Sequence, residues 1–173
     1  MEKVTQQELA RLAELAVEQE LTKKGWLVGN FNASIKNAAV YDVFAVKEQF
    51  KTTIRVKGVR LDKNNEGNLL YAVKKSGEVF LNLYKKDKTD ISVIVLIKDG
   101  DPVNYYIVPT YIIDNEIKTL HKKWMKTPKK DGKPHKDSTL RQIRFNDKVD
   151  KISGGYKIKW EKYLNNWELL KNT

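Results

Sequence analysis

The run Ile91-Ser-Val-Ile-Val-Leu-Ile97 constrains the fold of this chain most. It is β-branched and far too short for a membrane span, so it reads as a strand. Side chains alternate between the two faces of a strand, so a run that is apolar at nearly every position must be covered on both. That calls for a central strand with further structure layered above and below it. Asp99-Gly100-Asp101-Pro102 then forms a turn, and Tyr105–Val108 returns as the hairpin partner. Pro109 ends that strand. Thr110–Met125 reads as a helix with Ile113, Ile117, Leu120 and Trp124 on its buried stripe.

The N-terminal part carries its own signals. Thr5-Gln-Gln-Glu8 matches a capping box, and a helix runs from it to about Lys24. Lys23 and Lys24 suit the negative end of that helix, and Gly25 suits the left-handed position that stops it. Ala10, Glu14, Val17 and Leu21 share a face, which makes Glu14 the polar member of an apolar stripe. Glu18 is near that face and Glu20 points to solvent. Trp26–Phe31 reads as a first strand and Asn32–Asn37 as a turn. Strands Ala39–Val46 and Thr52–Val59 follow, paired as a hairpin across Lys47–Thr52. On the first of these, Val40, Asp42 and Phe44 share one face, and Tyr41, Val43 and Ala45 share the other. On the second, Arg55 and Lys57 share a face, so Asp42 and Lys57 can point to the same side. An acid and a lysine inside apolar strands form either a cross-strand ion pair on a half-exposed face or a site with chemistry.

Asp62–Asn68 is a loop, and Leu69–Val73 and Glu78–Tyr84 read as strands joined at Ser76-Gly77. Thr127–Ser138 is polar throughout and must lie on the surface. Thr139–Phe145 shows no clear period, and Asp147–Gly155 is another loop. Trp160, Tyr163, Leu164, Trp167 and Leu170 have a helical spacing, which makes a C-terminal packing element over about 156–170. The aromatic members of that stripe fit core better than a platform for bases. No linker divides the chain, so residues 1–173 are expected to form one domain.

Charge narrows the partners. The net charge is +11, and residues 118–144 hold ten Lys and Arg against two Asp, a net +8. Such a segment attracts polyanions, DNA above all, unless it is only a solvated helix face and a basic flap. There is no cysteine, which excludes disulfides, thiolate catalysis and cysteine-ligated zinc, and fits a cytoplasmic setting. The leading residues lack the apolar core of a signal peptide, and no apolar run is long enough to span a membrane. His121 and His135 lack matched acids nearby in sequence and read as ordinary surface residues. Asp99-Gly100-Asp101 lacks the rest of a calcium-loop pattern.

Three stretches, AELAVEQELTKKGWLV, VYDVFAV and TIRVKG, occur in the order in which the PD-(D/E)XK superfamily of restriction-endonuclease-like nucleases carries its helix acid, its Asp strand and its x-Lys strand. The chain resembles that superfamily. The later stretch YYIVPTYIIDNEIKTLHKKWMKTPKKDGKPHKDS, with YLNNWELL, is similar to the tails of small bacterial members. Each motif is short, and their order and spacing together carry the resemblance over most of the chain.

The resemblance implies an α/β fold with a restriction-endonuclease-like αβββαβ core, its mixed central sheet flanked by helices. It also implies DNA hydrolysis with one or two Mg²⁺ (or Mn²⁺) ions. Asp42 matches the metal-binding Asp, Glu14 the helix acid, and the Val56 carbonyl the main-chain metal ligand. Lys57 matches the lysine that orients the attacking water and steadies the developing charge. Arg55 falls where the family has an acid or Gln. Arginine cannot ligate Mg²⁺, but it can fork onto a phosphate, together with Lys129, Lys130, Lys133 and Lys136 of the basic loop at about 126–138. Alternatively the site has lost its metal, leaving an inactive nuclease-fold protein that binds nucleic acid or a protein partner, or the motif is offset in register. Nucleases of this kind often act as homodimers to cut both strands.

Overall fold

The structure is a computed structural model that describes residues 5–31, 41–72, 91–138, 140–148 and 154–172. Strand β5 (Ile91–Lys98) is its centre, and Ile91 to Ile97 are all buried. It pairs in parallel with β3 (Phe50–Arg60) and antiparallel with β6 (Asp101–Pro109). On the far side of β3 lie β2 (Val43–Lys47) and then β1 (Leu27–Asn30), both antiparallel to their neighbours. The result is a five-stranded mixed sheet in the order β1-β2-β3-β5-β6.

The alternation along β5 explains its composition. Ile91, Val93, Val95 and Ile97 enter a core shared with helix α1 (Gln6–Lys23). Ile94 and Leu96 enter a second core with helix α2 (Thr110–Lys126) and with a separate two-stranded ribbon of β4 (Gly67–Ala72) and β7 (Leu140–Phe145). A strand with a core on each side has no room for a charged residue.

Helix α1 begins as the capping box requires. Thr5 Oγ1 accepts from the Glu8 amide at 3.2 Å, and the Glu8 carboxylate accepts from the Thr5 amide at 2.6 Å. Gly25, at φ +78°, lies just beyond its end. Its buried face is Leu9, Ala13, Ala16, Val17 and Leu21, and Ala10 is exposed, so the stripe is rotated from the one expected through Ala10 and Glu14. Close approach to the sheet sets that rotation. A Cβ at Gly58 of β3 would lie 2.8 Å from the Leu9 carbonyl oxygen and 3.2 Å from Ala13 Cβ, so the helix rests on β3 at Leu9 and Ala13, where the strand has no side chain.

Three other expectations change. The β2–β3 hairpin closes with Lys47 opposite Phe50, a two-residue turn at Glu48-Gln49 that is tighter than a loop across Lys47–Thr52. Thr139–Phe145 proves to contain β7; its alternation was hidden because Arg141, 4% exposed, takes an inward position beside Ile143 and Phe145. The C-terminal aromatic stretch is not one helix but a single turn α3 (Tyr156–Lys159) and two 3₁₀ turns, Glu161–Tyr163 and Trp167–Asn172. Its aromatic residues serve both cores, Tyr156, Trp160 and Tyr163 on the α2 side and Trp167 on the α1 side. The chain passes β6 between them, where the Asn165 amide donates to the Tyr105 carbonyl at 2.7 Å. A continuous helix could not serve both sides of a sheet.

The expected strand Glu78–Tyr84 with its Ser76-Gly77 turn, the Asn32–Asn37 turn, and the start of the Asp42 strand at Ala39 and Val40 lie outside the described residues. Among the described residues no helix is long and apolar enough to cross a membrane.

Candidate metal and phosphate site

The β2–β3 ladder starts at Val43, opposite Ile54, so Asp42 stands one residue ahead of it. The Asp42 amide nonetheless donates to the Ile54 carbonyl at 3.0 Å, one residue out of step with the ladder. The Asp42 carbonyl accepts from the Phe31 amide at 2.9 Å. Its carboxylate Oδ2 accepts from the Val56 amide at 2.7 Å. The side chain therefore supplies an acceptor to the β3 backbone at the point where β2 parts from it. The same step in register moves Tyr41 onto the α2-side core, away from the face of Val43 and Ala45 with which it was expected.

On β3, Ile54 and Val56 enter the α1 core, and Arg55 and Lys57 take the opposite face. Arg55 is buried at 8% exposure, whereas Lys57 is exposed. Arg55 lies beside Ser92 of β5, whose hydroxyl is bonded to that of Thr110 at 2.8 Å. Burial pushes the Tyr71 hydroxyl of β4 well above its usual pKa, and the Arg55 charge works against that rise, so Arg55 is within electrostatic reach of the β4–β7 ribbon.

Glu14 sits on the other layer. Its Oε2 accepts from Arg11 at 3.0 Å and from Asn30 Nδ2 at 3.3 Å. Asn30 also donates to Glu18 Oε1 at 2.6 Å. Asn30 ends β1, and the next residue, Phe31, is the one bonded to the Asp42 carbonyl. One backbone step thus ties the Glu14 cluster to Asp42. Sequence reasoning missed Asn30; its one local signal was an amide inside a strand, where Asn is disfavoured, and its meeting with Glu14 and Glu18 comes only from the packing of α1 on β1.

Asp42, Glu14 and the Val56 carbonyl offer only hard oxygen donors, the kind Mg²⁺ takes; the Asp42 carboxylate meets the Val56 amide, and the Glu14 carboxylate meets Arg11 and Asn30. Among the described residues no group of three or more His, Cys, Asp or Glu could hold a metal ion. A site here would use one or two carboxylates and keep several waters, as Mg²⁺ commonly does.

The basic loop follows α2. Lys129, Lys130, Lys133 and Lys136 are all exposed, and Lys129 and Lys133 close a turn at 2.9 Å. Asp137 fastens the loop, lying 3.1 Å from His121 of α2 and 3.4 Å from Arg141 of β7. His135 stacks on Trp124 at a centroid distance of 4.1 Å. Neither histidine is an ordinary surface residue. The acid that meets His121 is sixteen positions away in sequence and arrives only because the loop folds back.

Burial, with the Arg141 charge, holds His121 below its usual 6.5 against a partial opposing pull from Asp137. Below about pH 6.5 the unfolded chain therefore takes up a proton that the folded chain resists. Stability is expected to fall as pH drops from that point, and His121→Gln should remove that part of the loss. Urea unfolding of both proteins on either side of pH 6.5 checks this, and parallel pH profiles would contradict it.

No protein-family model and no curated protein matches this chain. Among solved structures, a bacterial homing endonuclease, I-Ssp6803I, is similar with a TM-score of 0.54 at 14% identity, covering 98% of this chain and 94% of that one. A Holliday junction resolvase, Hjc from Archaeoglobus fulgidus, aligns with a TM-score of 0.39 at 11% identity over 78% of this chain and 82% of its own.

Proposed function

On the restriction-endonuclease-like fold that this chain carries, we propose a metal-dependent nuclease that hydrolyses DNA phosphodiester bonds. The observation that supports it best is the Asp42 carboxylate bonded to the amide of Val56, the residue between Arg55 and Lys57 on β3. Asp42, Glu14 and the Val56 carbonyl would hold one or two Mg²⁺ or Mn²⁺ ions. Held there, such an ion would supply Lewis-acid polarisation of the phosphate and a more acidic water. The Lys57 ammonium orients the attacking water and offsets charge developing on the phosphate oxygens. Arg55 forks onto a phosphate oxygen pair. Cutting both strands with one such site per chain calls for a second copy, so a homodimer is the assembly expected on DNA. The chemistry needs no thiol, in keeping with a cytoplasmic setting.

The test is cleavage of supercoiled plasmid and of single-stranded DNA with Mg²⁺ or Mn²⁺. The wild type should cleave, and Asp42→Ala and Lys57→Ala should not. Equal cleavage by all three would remove these residues from the site.

Lys129, Lys130, Lys133 and Lys136 would line the backbone of the bound DNA. Each duplex phosphate they neutralise should contribute about 0.9 to the slope of log affinity against log salt. Replacing all four with alanine should make that slope shallower by roughly 3–4, read by fluorescence anisotropy. An unchanged slope would take the loop out of the interface.

Arg55 favours a second reading. A buried arginine stands where the resemblance calls for an acid or Gln, and its charge opposes a nearby cation. An inactive nuclease-fold protein that binds nucleic acid or a protein partner would keep the lysine-dependent DNA affinity and show no cleavage with any metal.

A further inference from the structure

A cavity of about 420 Å³ lies between α2 and the β4–β7 ribbon. None of Asp42, Glu14 or Lys57 lines it. Trp124 and His121 form its aromatic side, Leu70 and Leu140 its apolar side, and Gln142 and Arg144 lie on the β7 wall. Leu70 and Leu140 are 53% and 56% exposed, so apolar surface is open to solvent where a strand pair would normally show polar residues. Trp26, Trp160 and Trp167 are buried, and Trp124 alone among the four tryptophans is not.

These features fit one kind of occupant. The volume falls in the range of small-ligand sites, so it takes one flat group with its attachment and no helix or duplex. The aromatic and aliphatic walls suit a planar, weakly polar ring, since stacking on an indole serves any base. The surrounding segment, residues 118–144 at net +8, selects an occupant that carries negative charge. We propose that the cavity receives one unstacked base of single-stranded or locally opened DNA, with its phosphates toward Arg144 and the loop lysines. The choice of DNA as the ligand rests on the reading given under Proposed function. The ribbon connects the two regions: Tyr71, opposite Arg141 in the β4–β7 ladder, lies within reach of the Arg55 charge.

The test is binding of a short oligothymidylate, and of a blunt duplex of the same length, in EDTA so that no metal chemistry takes part. Wild-type tryptophan emission should be quenched by the single strand, and Trp124→Ala should lose that quenching. Trp124→Ala and Leu70→Glu should each bind the single strand about tenfold more weakly. Both should bind the duplex far more nearly like wild type. Leu70 is exposed, so the glutamate leaves the fold intact while placing a carboxylate in the cavity. Leu27→Glu, at a 72% exposed position on β1, adds the same charge away from the cavity and should bind within about twofold of wild type. Wild-type affinity in both cavity variants, or equal losses for single strand and duplex, would overturn the proposal. Binding in EDTA is read independently of any cleavage. Base binding without any cleavage would therefore sink the nuclease reading alone, and cleavage with Trp124-independent binding would sink the cavity alone.

Discussion

Asparagine at Asp42 is expected to lower metal-dependent DNA cleavage by about 10²–10³-fold, the scale seen when one stabilising group is removed from a reacting centre. The fold should barely change. The Asp42 carboxylate accepts from the Val56 amide at 2.7 Å, and an asparagine carbonyl can accept in its place. Alanine cannot. It would leave an amide of a residue only 6% exposed without this partner, at a cost of about 1–3 kcal/mol. The asparagine variant therefore separates loss of charge at the metal from loss of structure. Cleavage rates against Mg²⁺ concentration, beside a thermal melt, give both quantities. Wild-type cleavage by Asp42→Asn would mean that the carboxylate is structural and nothing more.

Gly58→Ala should damage stability and activity together. Gly58 follows Lys57 on β3, directly beneath α1. Its backbone is not left-handed, so alanine meets no conformational penalty there, and the effect comes from space alone. A Cβ would lie 2.8 Å from the Leu9 carbonyl oxygen, a backbone atom that no side-chain rotation can move aside. Leu9 Cγ at 3.1 Å and Ala13 Cβ at 3.2 Å close the remaining space. The helix must lift, and overpacking of this kind costs about 1–3 kcal/mol. Glu14 rides on that helix, and Lys57 is the neighbour of the altered residue. A displacement of about 1 Å between groups that must act together can cost about 10²-fold in rate. Chemical denaturation and plasmid cleavage measure the two losses. A variant that keeps both would show that α1 does not lie on β3 as closely as described.

Much of this architecture was legible in the sequence because local chemistry agrees with the fold. The capping box at Thr5, the stop at Gly25, the Asp99-Gly100 turn and the doubly buried β5 each have a short-range cause. The departures arose where a distant contact overrode the local pattern. The buried stripe of α1 is set by Gly58 on another element, so spacing within the helix could not fix its rotation. Strand β7 was concealed by Arg141, whose inward position is satisfied by the Ser138 and Leu140 carbonyls and by Asp137. The C-terminal aromatic residues keep a helical spacing, yet they divide between two cores.

At the candidate site, the alternation rule placed Arg55 and Lys57 together on one face of β3. It failed for Tyr41 because the chain slips by one residue at Asp42, a step with no sequence signature. Asn30, which ties Glu14 and Glu18 to the strand leading to Asp42, became visible only when two separate elements met.

The most direct test of the central claim is nicking of supercoiled plasmid by the wild type and by Asp42→Asn, side by side across a titration of Mg²⁺ or Mn²⁺. Nicking that rises with metal in the wild type, disappears in EDTA and is absent in Asp42→Asn is the predicted result. No metal-dependent nicking by the wild type, or equal nicking by both proteins, would contradict the account.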